Sequence, residues 1–335
     1  MATSSIKEVA RRAGVSIATV SNVLNRPELV ADVTRQRVLD AIRDLGYVRN
    51  DSARQLRAGH SRMIAVMVLD VANPFFTDVV RGVEQVVDDT GAMVIVCNSG
   101  DDPTRESRQL DHLLEQRVRG LLITPVRDET IARLGEFTDR GIPVVLVDRG
   151  AGTRNRCSVA VDDVLGGRLA ADHLIAAGHS RIAFVGGPSG IRQVSDRYAG
   201  ATAAAAEAGL EITFLEMPAL TTAYGRSAGQ RLADGLEAER PTAVFCANDL
   251  LALGVLQEMM RRGIKVPEDI AIVGYDDIEY AAAAPVPLTS VAQPRDHLGR
   301  TAAELLLDEI TDGDRHRHRQ VLFEPELVVR ESSAP

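Results

Sequence analysis

The chain has 335 residues, enough at about 100–200 residues per domain for two or three domains with sizeable cores. Hydrophobic residues make up 45% and charged residues 25%, which excludes a disordered or fibrous chain; the opening MATSSIKEVA lacks the apolar stretch of a secretory signal, and no run reaches the roughly 18 apolar residues of a membrane helix, so the cytoplasm is the expected compartment. A net charge of −9 would disfavour a nucleic-acid partner, yet residues 1–62 hold eleven Lys and Arg against six Asp and Glu, giving a basic head of +5 and an acidic body of −14. The three cysteines, Cys97, Cys157 and Cys246, are odd in number and far apart, so neither a disulfide framework nor a zinc site is expected and packing roles are.

In the head, Ser5 and Glu8 form a capping-box pattern, and Ile6, Val9, Ala10 and Ala13 recur at helical spacing until Gly14. A second helix starts at the N-cap Ser16 and runs to about Leu24, before Asn25-Arg26-Pro27; a third spans roughly Asp32 to Leu45 and ends at Gly46. Two helices joined by a tight glycine turn, with a third to bury their apolar faces, describe a helix-turn-helix unit. At about 100° per residue from Ile17, the second helix places Ser21, Asn25, Ala18 and Asn22 between about 40° and 140°, and Val23, Val20 and Leu24 between about 240° and 340°. A small polar face of this kind can enter a DNA major groove, with Ser16, Thr19, Ser21 and Asn25 donating to phosphates. Ile17 borders Leu24 and fits either the core or a base contact.

The run from Ile6 to Asn25 resembles the N-terminal signature of the LacI/GalR family of bacterial transcription regulators. The resemblance implies base-reading positions at Ile17, Ala18 and Asn22, and phosphate-contact positions at Ser16, Thr19, Ser21, Asn25, Thr34 and Asn50; Ser5 completes the expected contacts of the head. Many members carry Arg or a longer polar group where Asn22 stands. The segment Arg49 to Arg57 is too short to be a stable helix alone and is similar to the family's hinge helix, which folds when two copies meet in the minor groove. The resemblance makes Leu56 the wedge between base pairs and lays Arg54 along the groove.

From residue 62 short apolar runs alternate with amphipathic stretches. Met63 to Leu69, Met93 to Cys97, Leu121 to Thr124, Val144 to Val147, Ile182 to Val185, Ala243 to Cys246 and Ile270 to Val273 read as buried strands, predicting an α/β body with parallel sheets in two lobes. Ligands of open α/β sheets bind beyond the carboxyl ends of strands. Those ends carry Asn73-Pro-Phe75-Phe76, Thr124, Asp148-Arg149, Asn248-Asp249 and Asp276-Asp277: carboxylates, amides, a guanidinium and aromatic rings, the partners a polyhydroxylated ligand needs. Taken singly, Asp148, Asn248 and Asp276 each also suit a cap of the following turn. Phe76 is expected inward and Phe75 toward the cleft.

The body resembles the type I periplasmic-binding-protein fold over about 270 residues, most closely its ribose-binding branch. That similarity implies effector contacts at Asn73, Phe75, Phe76, Asp148, Arg149, Gln193, Arg197, Tyr224, Asn248, Asp276 and Gln293, with Tyr224 as the stacking aromatic and Thr124 where an amide is usual. The expected division is a helix-turn-helix domain over 1–48, a hinge and linker over 49–61, and an effector-binding and dimerisation domain over 62–335, its first lobe 63–160 with 292–320 and its second 161–291 with 321–335.

No GxxxxGK[ST], HExxH or GxSxG motif supports an enzyme, and Pro188 weakens Gly186 to Gly190 as a phosphate loop. His316 and His318 alternate with Arg315, Arg317 and Arg319, whose charge would oppose a cation, so a solvated loop without metal is expected. No cofactor is expected. The expectation is therefore a homodimeric repressor on a pseudo-palindromic DNA operator, controlled by a small sugar such as ribose or another pentose, and away from membranes. A nucleoside- or nucleobase-responsive regulator and a transport-type sugar-binding protein are the alternatives.

Overall fold

A computed structural model describes residues 4–47, 61–150, 152, 155–234 and 240–334, and two compact units divide after Ser61. The hinge positions Asn50, Arg54 and Leu56 lie outside the described residues.

The first unit contains α1 (Ile6–Ala13), α2 (Ile17–Asn25) and α3 (Asp32–Leu45). Both halves of the expected capping box form: Ser5 Oγ accepts from the Glu8 amide, and Glu8 Oε2 accepts from the Ser5 amide at 2.7 Å. Gly14, at φ 64°, ends α1 in the left-handed region that a residue without Cβ enters freely, which permits the two-residue passage to Ser16. Ser16 Oγ then accepts from the Thr19 amide at 3.0 Å and starts α2. Val9, Ala10, Ala13, Val20, Val23, Val38 and Ala41 form the small buried core.

The second unit runs β1 (Met63–Val68), α4 (Pro74–Val87), β2 (Met93–Asn98), α5 (Pro103–Glu115), β3 (Gly120–Ile123), α6 (Asp128–Arg133), α7 (Gly135–Thr138), β4 (Val144–Val147) and β5 (Cys157–Val161). It continues through α8 (Asp163–Ala176), β6 (Ile182–Gly186), α9 (Arg192–Glu207), β7 (Ile212–Glu216), α10 (Thr222–Asp234), β8 (Ala243–Cys246) and α11 (Asp249–Arg261). Then follow β9 (Ala271–Asp276), α12 (Glu279–Ala282), β10 (Thr289–Ala292), α13 (Arg295–Asp312), β11 (Gln320–Phe323) and β12 (Glu326–Val328). Among the described residues one sheet has the order β11-β5-β4-β3-β1-β2, all parallel, and the other β12-β10-β9-β8-β6-β7, parallel except for β12. Helices cover the faces, which is why β3, β4 and β8 are apolar without alternation and buried throughout.

The seven expected strands all form. The division of the lobes needs correction: β11 pairs with β5, so residues 321–323 belong to the first lobe, and the third crossing falls between Phe323 and Glu326. β10, through Ala292, belongs to the second sheet. Strands β5, β7, β10, β11 and β12 lacked a recognisable apolar run for two reasons. β7, β11 and β12 are edges, short and partly exposed, whereas the inner strands β5 and β10 carry Ser158, Thr289 and Ser290.

One helix contact positions the site. A Cβ on Gly167 would stand 1.9 Å from the Arg197 carbonyl oxygen, and one on Gly200 1.9 Å from that of Val164. Only glycines let the α8 and α9 backbones approach this closely, and the approach sets Arg197 of α9 against Asp163 at the start of α8.

Candidate functional site

On α2, Ala18, Asn22 and Asn25 are exposed, and Ile17 is 45% exposed, so Ile17 faces solvent rather than the core. The small hydroxyls and amides are held by local bonds. Ser16 Oγ lies 2.9 Å from Thr19 Oγ1, and Asn25 Nδ2 donates to the Ser21 carbonyl at 2.7 Å and to Ser21 Oγ at 3.2 Å. Ser5 is the cap of α1, with its Oγ donating to Glu8 Oε2 at 3.0 Å; Thr34 is half-buried near the start of α3. The result is a low, pre-ordered polar face, shallow enough for the backbone to approach base edges.

In the second unit, the carboxyl ends of β1, β3 and β4 deliver Asn73, Thr124 and Asp148 from the first lobe, while β8 and β9 deliver Asn248 and Asp276 from the second. Asn73 caps α4, its Oδ1 accepting from the Phe75 amide at 3.0 Å, and its Nδ2 reaches across to donate to Asp276 Oδ2 at 3.1 Å. Gln293, just after β10, donates to Asp276 Oδ1 at 2.8 Å. From α9, Gln193 Nε2 crosses the other way, donating to the Asp148 carbonyl at 2.8 Å and to Asp148 Oδ2 at 2.9 Å. Two amide–aspartate contacts therefore join the lobes.

While Arg295 donates to the Asp276 carbonyl from the start of α13, Arg197 is the fully buried cation of this group. Its Nε donates to Asp163 Oδ1 at 2.7 Å, its Nη1 to the Ala247 carbonyl at 2.7 Å, and Nη1 lies 3.8 Å from Asp276 Oδ1. The guanidinium also sits 3.6 Å over the Tyr275 ring. Burial alone would lower its pKa, but Asp163 above all outweighs that and keeps it cationic. Burial pushes the Asp148 carboxyl up to about 8, helped by the nearby charge of Asp163. Asp276 and Asp163 are also raised by burial, with Arg197 pulling back on both. Asp148 and Asp276 adopt φ of 54° and 103°, a conformation that costs a non-glycine residue about 1–3 kcal/mol and is found where a site holds its side chains in fixed directions.

Asp148 Oδ1, Gln293 Oε1 and Thr124 Oγ1 are buried and have no hydrogen-bond partner among the described residues. A carboxyl oxygen, an amide acceptor and a hydroxyl are thus left for a ligand rich in O–H groups. Of these three only Asp148 borders a cavity of about 710 Å³, whose wall also holds Arg149, Asp163, Arg192, Gln193 and Asp196.

Other expected contacts are placed differently. Arg149 pairs with Asp128 along the cavity wall. Asn248 serves as the cap of α11, accepting from the Leu251 amide at 2.9 Å and donating to the Leu220 carbonyl at 3.2 Å. Phe75 and Phe76 are both buried in one apolar cluster, edge to face at 5.0 Å, so the expected division between an inward and a cleft-facing ring does not appear. Tyr224, on α10, is 37% exposed and stands outside the hydrogen-bonded group. Asp163 and Tyr275, which complete the surroundings of Arg197, were not expected. The strand-end rule would have found Asp163 had the run Cys157–Val161 been recognised as a strand.

The loop holding His316 and His318 is largely exposed, as expected, but both imidazoles contact neighbouring side chains. His316 Nε2 lies 3.1 Å from Cys157 Sγ, and His318 Nδ1 lies 3.8 Å from both that sulfur and Glu309 Oε2. In extended chain, residues two apart share a face, so both imidazoles lie on the side of Cys157, with His316 half-buried and His318 exposed.

Among the described residues no helix is long and apolar enough to cross a membrane. Residues 5–50 match the model for bacterial regulatory proteins of the lacI family, and residues 171–333 match that for a periplasmic binding protein-like domain. The HTH-type transcriptional repressor PurR of Aliivibrio fischeri strain MJ11 is 35% identical over 331 residues, 98% of this chain and 97% of that protein. A crystal structure of the lac repressor dimer bound to operator and the anti-inducer ONPF matches with a TM-score of 0.85 at 29% identity, covering all of both chains. A LacI family transcriptional regulator from Enterococcus faecium, with bound ribose, matches with a TM-score of 0.73 at 29% identity over 82% of this chain and 99% of that one.

Proposed function

The chain belongs to the lacI family of bacterial regulatory proteins and is a DNA-binding transcriptional repressor, not an enzyme, and on that premise we propose that it acts in the cytoplasm as a homodimer whose operator affinity is set by a small sugar, ribose or another pentose, held between the lobes of the second unit. The observation that carries this reading is the buried group Asn73, Asp148, Gln193, Arg197, Asp276 and Gln293, with Asp148 Oδ1, Gln293 Oε1 and Thr124 Oγ1 left for ligand hydroxyls. Carboxylates and amides in this density suit vicinal hydroxyl pairs and offer little to an apolar or anionic ligand. The similarity to a regulator with bound ribose points the same way.

In this reading the ligand works through the contacts that join the lobes. Its hydroxyls compete with Gln193 for Asp148 and with Asn73 for Asp276, so occupancy changes how the lobes are held and hence how two bodies meet. Asn22, Ala18 and Ile17 read bases, and two heads address the halves of a pseudo-palindromic site.

A nucleoside is a second reading. The 710 Å³ cavity beside Asp148 exceeds what one pentose fills and has room for a base attached to the sugar.

Titrating the full-length protein with ribose, other pentoses, nucleosides and free nucleobases, with thermal shift as the readout and a DNA fragment from the gene's own upstream region in a parallel binding assay, tests both. A pentose or nucleoside should raise the melting temperature and change operator affinity about 5- to 150-fold, the range of 1–3 kcal/mol of coupling. A response to nucleobases alone would overturn the sugar reading, and equal affinity for every DNA in all conditions would overturn the repressor mechanism.

A further inference from the structure

A second cluster lies apart from the cleft group. Cys157 opens β5, Glu309 stands in the last turn of α13, and His316 and His318 lie in the connection from α13 to β11. One thiol sulfur, one carboxylate oxygen and two imidazole nitrogens from these residues lie within 4.8 Å of one another. We propose that they form a four-ligand site for a divalent transition metal of borderline softness, Zn2+ in the first place, that clamps β5, α13 and the segment leading into β11.

The geometry fits the ion. Zinc bonds of about 2.0–2.3 Å to N, O and S, arranged tetrahedrally, set ligand atoms roughly 3.3–3.7 Å apart. The contacts here are 3.1 Å from Cys157 Sγ to His316 Nε2, 3.8 Å from Cys157 Sγ to His318 Nδ1, and 3.8 Å from His318 Nδ1 to Glu309 Oε2. Among the described residues Glu309 Oε2 is buried without a hydrogen-bond partner, and the Arg319 amide donates to Cys157 Sγ at 3.3 Å, the support a metal-bound thiolate receives from its outer shell.

Two ligand charges balance the ion, although the buried Arg156 guanidinium faces Glu309 and His318. A Cys157 thiolate and the Glu309 carboxylate neutralise two positive charges, and Arg319 is itself paired with Asp308 at 2.7 Å. Cysteine binds zinc as its thiolate, so binding releases a proton and tightens as pH rises. The mixed thiolate, imidazole and carboxylate set disfavours Mg2+ and Ca2+, which take oxygen ligands. Because β11 leads straight into the third crossing between the lobes, an ion here would stiffen the first lobe where the chain leaves it.

Chelator-treated, tag-free, full-length protein titrated with Co2+ as a spectroscopic probe tests this. One equivalent should give the strong visible absorption of tetrahedral cobalt together with a near-ultraviolet thiolate-to-cobalt band, both displaced by Zn2+. Cys157→Ser should remove the thiolate band, and, as Cys157 is buried, His316→Ala and His318→Ala provide surface changes that should weaken Zn2+ affinity by more than about tenfold without disturbing folding. A weak octahedral spectrum, a thiolate band that survives Cys157→Ser, or unchanged affinity in both histidine variants would overturn the site.

Discussion

The two polar surfaces of this protein solve opposite problems. The face of α2 meets water in the free protein, and its short side chains are kept in order by bonds within one turn, such as Asn25 to Ser21 and Ser16 to Thr19. The cleft has taken three aspartates and an arginine out of water, and each depends on a partner from a different element. Function and stability are therefore separable on the head and entangled in the cleft. Substitutions at the two surfaces should differ in kind as well as in size.

Arg197→Ala should give the largest effect. It leaves Asp163 buried without its countercharge and Asp276 with Arg295 alone, and strips the Tyr275 face of its cation. Breaking a buried pair from one side costs about 3–5 kcal/mol, which should appear as a large drop in the urea midpoint at unchanged slope. A loss below about 1 kcal/mol would mean that water reaches these carboxylates, and the contrast with the head would collapse.

Asp148→Asn sharpens the comparison through pH. Burial raises the Asp148 carboxyl from its ordinary value of 3.8 to about 8, so between those values the folded chain keeps a proton that the unfolded chain has lost. Stability from this group is then full below about pH 4 and declines as pH rises toward 8. Asp163, Asp276 and Asp249 are raised in the same direction, so the difference between the two proteins reports Asp148 together with its interaction with Asp163 and Asp276. Asn also tolerates the backbone at φ 54°. Melting curves taken from pH 5 to pH 8 should show the variant gaining steadily on the parent; parallel curves would leave Asp148 solvated and ordinary.

How much of this was legible in sequence follows from whether a signal is local. The head was plain because its signals are short-range: Ser5 with Glu8, Gly14, Ser16 and Gly46 each act within a turn, and each does what its chemistry suggests. In the body, strands made of continuous apolar residues were visible. β5 and β10 were hidden by Ser158, Thr289 and Ser290, whose hydroxyls are buried in the core; Ser290 Oγ donates to Asp249 Oδ1 at 2.7 Å. Missing β5 also concealed Asp163, one residue beyond the Asp162 that follows it. Asn248 was legible as a polar residue at a strand end, but its amide is used to start α11. The His316 and His318 cluster escaped because charge was summed along the chain, whereas its other members, Cys157 above all, are brought in from distant sequence.

The smallest stability effect, and the sharpest contrast, belongs to Asn22→Ala. Asn22 is exposed on α2, facing away from Val20 and Val23 in the core, and alanine is the better helix former, so the urea midpoint should stay within about 0.5 kcal/mol of the parent. On DNA, an amide that pairs with a base edge contributes about 1–3 kcal/mol of discrimination, so relative affinities across a randomised half-site should flatten by roughly 5- to 150-fold at one position. Weaker binding to all sequences alike, with the preference profile intact, would move Asn22 from base reading to backbone contact. That outcome would leave Ile17 and Ala18 to read bases through apolar contacts alone.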